Sequence, residues 1–345
     1  MSFDLLIDMT FISTVLAAAF RIATPILFAA LGETVAERAG MLNIGIEGMM
    51  TIGALTGFVA AFFTASLWIG FAAAAIAGAA VGIVFGYITS ERGADHVVTG
   101  IVINLFCLGL ASLIYKALFA GSRSIPQVPT MRPLKFAGLS DLDFFGRAFF
   151  SHLPVVWAAF LLIPVFWFFL VRTEWGLNIR AVGENPVAAE TAGIDVWRVR
   201  LSAIAIGGGM AGLGGATLSI AQLGAYLDQM TAGRGFIALA VVVFGGWQPW
   251  RVAGACLVFG GAEALQLRLQ AIGTPVPNAL LLAVPYLLTI LVVTVFAGKA
   301  GYPGAINQPY LRRRRGPPPS LEMISRQPED TLDHDENLKR PIMSS

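Results

Sequence analysis

A series of apolar runs, each about long enough for one helix to cross a membrane and parted by polar breaks, limits this chain more than any single motif does. Such runs cover Met49 to Thr64, Leu67 to Ser90, Val97 to Phe119, Leu153 to Val171, Leu201 to Gln222, Val252 to Leu269 and Ala279 to Phe296. About 20 helical residues cross a hydrocarbon core of ~30 Å, and inside lipid a spanning segment must satisfy its own backbone N–H and C=O groups. Only 13% of the 345 residues are charged, against about a quarter in soluble domains. With two further apolar runs, these predict an all-α fold: a polytopic transmembrane helix bundle of about nine spans (roughly eight to ten) with discontinuous helices.

The first further run, Phe3 to Phe20, carries Asp4 and Asp8 near its start rather than a basic region, which speaks against a cleavable signal peptide. One helix from Leu5 to Leu31 would place Arg21 near mid-bilayer, at about 2.5 to 3.5 kcal/mol on insertion scales. The expectation is therefore an interfacial or tilted helix up to Arg21, then a span from Ile22 with Pro25 tolerated in its first turn. The second run, from Gly233, reads GRGFIALAVVVFGGWQPWR and is short for a crossing. It reads as a discontinuous helix, a pseudo-repeat partner of the Gly45 to Gly57 region.

Polar breaks carry the candidate chemistry. Gly32 to Gly48 holds Glu33, Glu37, Arg38, Asn43 and Glu47, and is either a plain loop or a broken helix that turns free backbone groups toward a substrate. Asn104 is an amide in mid-span, which fits an interhelical bond or a substrate contact equally well. His96, in a short break with no partner at metal spacing, reads as a solvated loop histidine. Glu263 and Arg268 interrupt one span and are expected to pair or snorkel. Gly78, Gly82 and Gly86, and Gly53 with Gly57, recur every fourth residue and mark helix-packing faces. Gly207, Gly209 and Gly212 have GxGxxG spacing, but no strand precedes them, so Gly208 with Gly212 is again a packing face.

Several classes are set aside. The net charge of +2 does not suggest a nucleic-acid partner, and the basic run Arg312 to Arg315 fits an anchor to membrane lipid. Cys107 and Cys256 lie in apolar runs without metal or disulfide spacing. No phosphate-binding GxxxxGK[ST], HExxH or GxSxG motif occurs. The chain is not expected to be an enzyme, nor to bind a cofactor or metal. Residues 311–345 have the charged, proline-bearing composition of a disordered tail, which leaves 1–310 as the membrane domain.

The segment from Arg172 to Arg200, RTEWGLNIRAVGENPVAAETAGIDVWRVR, is too charged for lipid. Asn185 is placed as an N-cap, Pro186 sits in the first turn and Gly193 supplies the stop, giving a surface helix of roughly two to three turns. Arg172, Arg180, Arg198, Arg200, Arg251, Lys299 and Arg312 to Arg315 fall on one side if the spans alternate, and that side should be the cytoplasm. The loop from Gly121 to His152 and the N-terminus then lie outside.

RAVGENPVAAETAGIDVWRVR followed by IAIGGGMAGLGGATLS resembles the cytoplasmic coupling loop of permease subunits of ATP-binding cassette (ABC) importers. ERAGMLNIGIEGMM, TAGRGFIALAVVVFGGWQPW and ALQLRLQAIGTPVPNALLLAVPYLLT agree, in order, with the branch that takes up nucleosides and simple sugars, related to ribose and branched-chain amino acid permeases. The resemblance implies a pathway-forming subunit in the bacterial inner membrane and a separate ABC ATPase that uses the ATP. It also implies a second permease, expected to be a different paralogue, and an extracytoplasmic substrate-binding protein. On this basis Arg180, Gly183, Glu184, Asn185, Pro186 and Gly193 form the ATPase-coupling surface, and Asn43, Glu47, Asn104 and Arg234 are pathway candidates. The competing expectation is a secondary transporter driven by an ion gradient, with Glu33, Glu47 and Glu263 as ion sites.

Overall fold

In the computed structural model, described residues are 9–121, 124–135, 144–272, 277, 280, 281, 283, 287, 301–308 and 310. Seven helices among them are long and apolar enough to cross a membrane. These are α1 (Met9–Arg38), α2 (Ile46–Thr64), α3 (Leu67–Ser90), α4 (His96–Phe119), α5 (Pro154–Arg172), α8 (Val196–Ala216, continued by π-helical turns over Thr217–Leu223) and α10 (Pro249–Ala271). Between α5 and α8 lie the short helices α6 (Glu174–Glu184) and α7 (Pro186–Thr191), and α9 (Arg234–Phe244) precedes α10. With 11 residues, α9 is ~16 Å long, about half the hydrocarbon thickness. The expected span Ala279 to Phe296 and the tail 311–345 lie outside the described residues, apart from isolated positions in the span.

α8 is the axis of the bundle: 78% of its apolar window is buried, against 28% in α3 and α5. Its glycines explain why. A methyl group on Gly208 would stand 2.3 Å from the Gly78 carbonyl oxygen, and one on Gly212 2.2 Å from that of Ala74. On the opposite approach, a methyl on Gly215 would stand 1.9 Å from the Met50 oxygen. Lipid supplies no hydrophobic drive between helices, so close backbone approach and dispersion hold α8 between α1, α2 and α3. The glycine spacing is therefore packing, as its sequence context indicated.

α1 corrects the expectation of a break at Arg21. The helix is continuous for 30 residues with Pro25 inside it, and the crossing part is displaced toward its C-terminal end. Arg21 and Arg38 are 17 residues apart, ~26 Å along the axis and close to the hydrocarbon thickness, so the two arginines bracket the span instead of one lying in its middle. Glu33 and Glu37, read as part of a polar break, are inside the helix and fully buried. Proline at position 25 leaves the Arg21 carbonyl without its helical donor. Gln222, on the π-helical turns that follow α8, supplies the replacement, with Nε2 donating to that carbonyl at 2.8 Å.

The bundle has two distinct ends. At one, Val128 N–H donates to Gly224 at 2.8 Å, and β1 (Leu134–Lys135) pairs antiparallel with β2 (Ser151–His152). Burial, with the Arg21 charge nearby, holds the His152 imidazole below its usual range despite the opposing bond to Ala148. A neutral ring bonded to the Ala148 carbonyl through Nε2 must carry its proton there. At the other end lie residues 39–45, the 173–195 loop, Trp247 and residues 301–310. His96 belongs to that end and is not solvated. It is 1% exposed, opens α4, accepts from Leu42 N–H through Nδ1 at 3.3 Å and meets the Phe85 ring edge-on.

Candidate functional site

Two regions carry the candidate residues: the 173–195 loop, and a break in the helical backbone between α1, α2, α4 and α9. In the loop, Thr173 caps α6 by accepting from Gly176 N–H at 3.1 Å, and Asn185 caps α7 by accepting from Ala188 N–H at 3.0 Å. Pro186 is the first residue of α7, where its missing donor costs nothing. Gly193 has φ of 88°, and Ile194 N–H returns to the Ala189 carbonyl at 3.0 Å. This left-handed stop favours glycine. The capped helix has six residues, a little under the roughly two to three turns expected, and it stops at Gly193 as its sequence indicates. α6 was not anticipated. Its signal was present in Thr173 as a cap and in Ile179 and Val182, which are buried on one face while Trp175 and Leu177 are exposed.

The loop is seated firmly on the bundle. A methyl group on Gly183 would fall 1.9 Å from the Arg38 carbonyl oxygen at the end of α1, so α6 meets α1 backbone to backbone. Residues 301–310 close over the junction like a strap, a feature with no periodic signal in the sequence. Ala305 N–H donates to Gly183 at 2.8 Å and Asn307 N–H to Gly40 at 3.2 Å. Gly304 N–H donates to Glu184 at 3.3 Å, and the Tyr310 hydroxyl bonds Glu190. Buried Arg200 donates to the Gln308 carbonyl at 3.1 Å, and Tyr302 packs edge-on against Trp247. Arg180 donates to the Gly176 carbonyl within its own helix, at 3.4 Å.

The break begins where residues 39–45 leave α1. Leu42 sits beside His96, whereas Ile44 accepts from Asn104 Nδ2 at 2.7 Å. Asn104 is eight residues along α4, or ~12 Å from His96, so the chain climbs back into the bundle before α2 starts. Asn104 Oδ1 also accepts from Gly48 N–H at 2.7 Å, which fixes that start. Asn43 is held by Glu33, whose carboxylate accepts from its backbone N–H and from Nδ2, both at 3.1 Å. Glu47, in the first turn of α2, accepts from Gly233 N–H at 2.8 Å and Gly235 N–H at 2.7 Å. It thereby caps α9, satisfying donors that water cannot reach.

Arg234, the first residue of α9, pairs with Glu263 of α10 at 2.9 Å, so Glu263 does not pair with Arg268. The other end of α9 is held by Trp247, which the sequence reading missed: its indole N–H donates to Glu37 and its carbonyl accepts from Arg38. Thus Asn43, Glu47 and Asn104 surround one helix junction, with Arg234 beside it. Among the described residues, no group of three or more His, Cys, Asp or Glu side chains could hold a metal ion.

Residues 15–293 match the family described as branched-chain amino acid transport system, permease component. The chain belongs to that family. A guanosine ABC transporter permease of Bacillus subtilis is 36% identical over 88% of this chain and 98% of its own length. A nucleoside ABC transporter permease of Lactococcus lactis is 31% identical over 85% of this chain and 95% of its own. A Haloferax volcanii protein provisionally named a glucose ABC transporter permease is 41% identical over 79% and 82%. This permease is thus a multi-pass membrane subunit of an ABC transporter and not an enzyme; in such transporters ATP is hydrolysed by a separate subunit.

Proposed function

We propose that this permease imports nucleosides, or failing that simple sugars, across a bacterial inner membrane. A second, different permease completes the pathway, an extracytoplasmic binding protein delivers ligand at the 121–152 loop, and ATP is used by an ATPase docked on the 173–195 loop. Arg180, Gly183, Glu184, Asn185, Pro186 and Gly193 form or shape that docking surface. The observation that carries this reading is the Gly183 contact with the Arg38 carbonyl: a push on the loop is delivered without slack to the end of α1, hence to the break where Asn43, Glu47 and Asn104 meet. The glutamates an ion-driven carrier would need have other partners: Glu33 holds Asn43, Glu47 caps α9 and Glu263 pairs with Arg234. A full count of about nine spans, with α9 and the 279–296 run included, completes the bundle.

The test is uptake of labelled nucleosides and sugars into proteoliposomes containing this chain with and without the ATPase, second permease and binding protein. Uptake that needs every component and ATP, and is lost with Gly183→Val while the chain still inserts, supports the reading. Uptake by this chain alone under a proton or sodium gradient overturns it.

A further inference from the structure

The segment between α8 and α9 does something the family assignment does not explain. It starts beside Gly224, where Tyr226 packs on Tyr115 of α4 at 5.0 Å between centroids. It ends at Gly233, on Glu47, next to the Gly48 contact with Asn104. Tyr115 and Asn104 are 11 residues apart on α4, so this non-helical stretch descends ~16 Å alongside a membrane helix. Its backbone is turned sharply, with φ of 59° at Gln229, 47° at Ala232 and 81° at Gly233. Irregular backbone at membrane depth is tolerated only where it is buried in protein or lines water.

One side of the stretch is buried: Tyr226 is 1% exposed, and Thr231, also 1% exposed, bonds the Thr51 hydroxyl at 3.2 Å. The other side is open and bears Asp228 and Gln229, with Leu227 exposed beside them. Asp228 accepts from the Ser112 hydroxyl at 3.3 Å, one helical turn inward of Lys116. A carboxylate facing lipid at that depth is strongly disfavoured. Arg234 and Glu263 pair with each other, while the exposed Lys116 lies one turn outward of Ser112, so Asp228 is the acidic group of a face that a cation borders on its outer side.

We propose that Asp228, with Ser112 and Gln229, forms a water-lined polar subsite of the translocation pathway that accepts hydrogen bonds from hydroxyl groups of a neutral solute. This rests on the reading of the chain as a nucleoside or sugar importer. Carboxylate, amide and hydroxyl oxygens accept hydrogen bonds from the vicinal hydroxyls of a ribose or hexose ring, and the carboxylate makes the strongest of these acceptors.

The experiment uses the assembled transporter in membranes, where Cys107 and Cys256 are buried. Asp228→Cys is exposed to a permanently charged, membrane-impermeant thiosulfonate, with Ile125→Cys in the outer loop as the reactive control and Leu105→Cys on the apolar face of α4 as the silent one. Asp228→Cys is expected to react and to be protected by the transported solute. In uptake assays Asp228→Asn is expected to raise KM about tenfold, the equivalent of one lost charge-assisted hydrogen bond, with a smaller change in kcat. A silent Asp228→Cys beside a reactive Ile125→Cys overturns the proposal and places the residue against the partner permease; so does a reactive Asp228→Cys with unaltered Asp228→Asn uptake. If the unmodified complex carries no nucleoside or sugar, the substrate reading fails instead, while the labelling arm still decides whether Asp228 faces water.

Discussion

Asn185 and Glu47 cap two short helices, and the contrast between them separates the two working regions of this permease. Asn185 is exposed at the head of α7 and satisfies one backbone N–H. Glu47 is 5% exposed, reaches from α2 to α9 and satisfies two. In the loop, water can stand in for a lost cap; in the bundle it cannot, so the same local motif is a convenience in one place and a condition of assembly in the other.

Breaking the membrane cap should have the largest effect. Glu47→Ala leaves two amide donors unmet and is expected to cost about 3 to 6 kcal/mol, from two hydrogen bonds to a charged acceptor. Thermal unfolding of the purified chain in detergent should show a transition lowered by many degrees or absent, with Glu47→Gln in between. Next comes Gly183→Val, where overpacking against Arg38 should cost about 1 to 3 kcal/mol. Its signature is different: ATP hydrolysed per solute imported rises, because the loop is lifted from α1 while the bundle stays folded.

A subtler substitute donor lies at Gln222. Gln222→Leu should destabilise by about 1 kcal/mol, and the loss should vanish in a Pro25→Ala background, where residue 25 recovers its own N–H. A double-mutant cycle on unfolding midpoints measures that coupling; additive effects would show that Gln222 does not serve the Pro25 gap. Smallest of all, Asn185→Ala is expected to cost about 1 kcal/mol or less in thermal unfolding. A loss matching that of Glu47→Ala would erase the distinction between the two caps.

The sequence made the water-facing cap easier to read than the buried one. Asn185, Pro186 and Gly193 announce a helix through local backbone chemistry, and local chemistry is visible in one dimension. The short α9 was legible for the same reason, from Arg234 at its head and the Gly-Gly-Trp-Gln-Pro break at its foot. The partners of Glu47, Glu37 and Asn104 lie 56 to 210 residues away, beyond any periodicity. Arg21 misled for a related reason: a charge in an apolar run reads as a charge in lipid until it is known that Glu33 and Glu37, farther along, are covered by protein. Tyr310 and Asn307 gave no signal, because a strap that works through backbone amides and one hydroxyl needs no distinctive composition.

That strap has a consequence for how the molecule is made. Residues 301–310 follow all the helices described above in the chain, yet they join Gly40, from the first turn of the bundle, to Gly183 and Glu184 in the loop. During synthesis these early and middle parts emerge long before the segment that ties them together. A chain interrupted before Gly301 can insert its earlier helices but lacks the finished underside, so an ATPase that recognises the strapped loop would meet only permeases translated past this point.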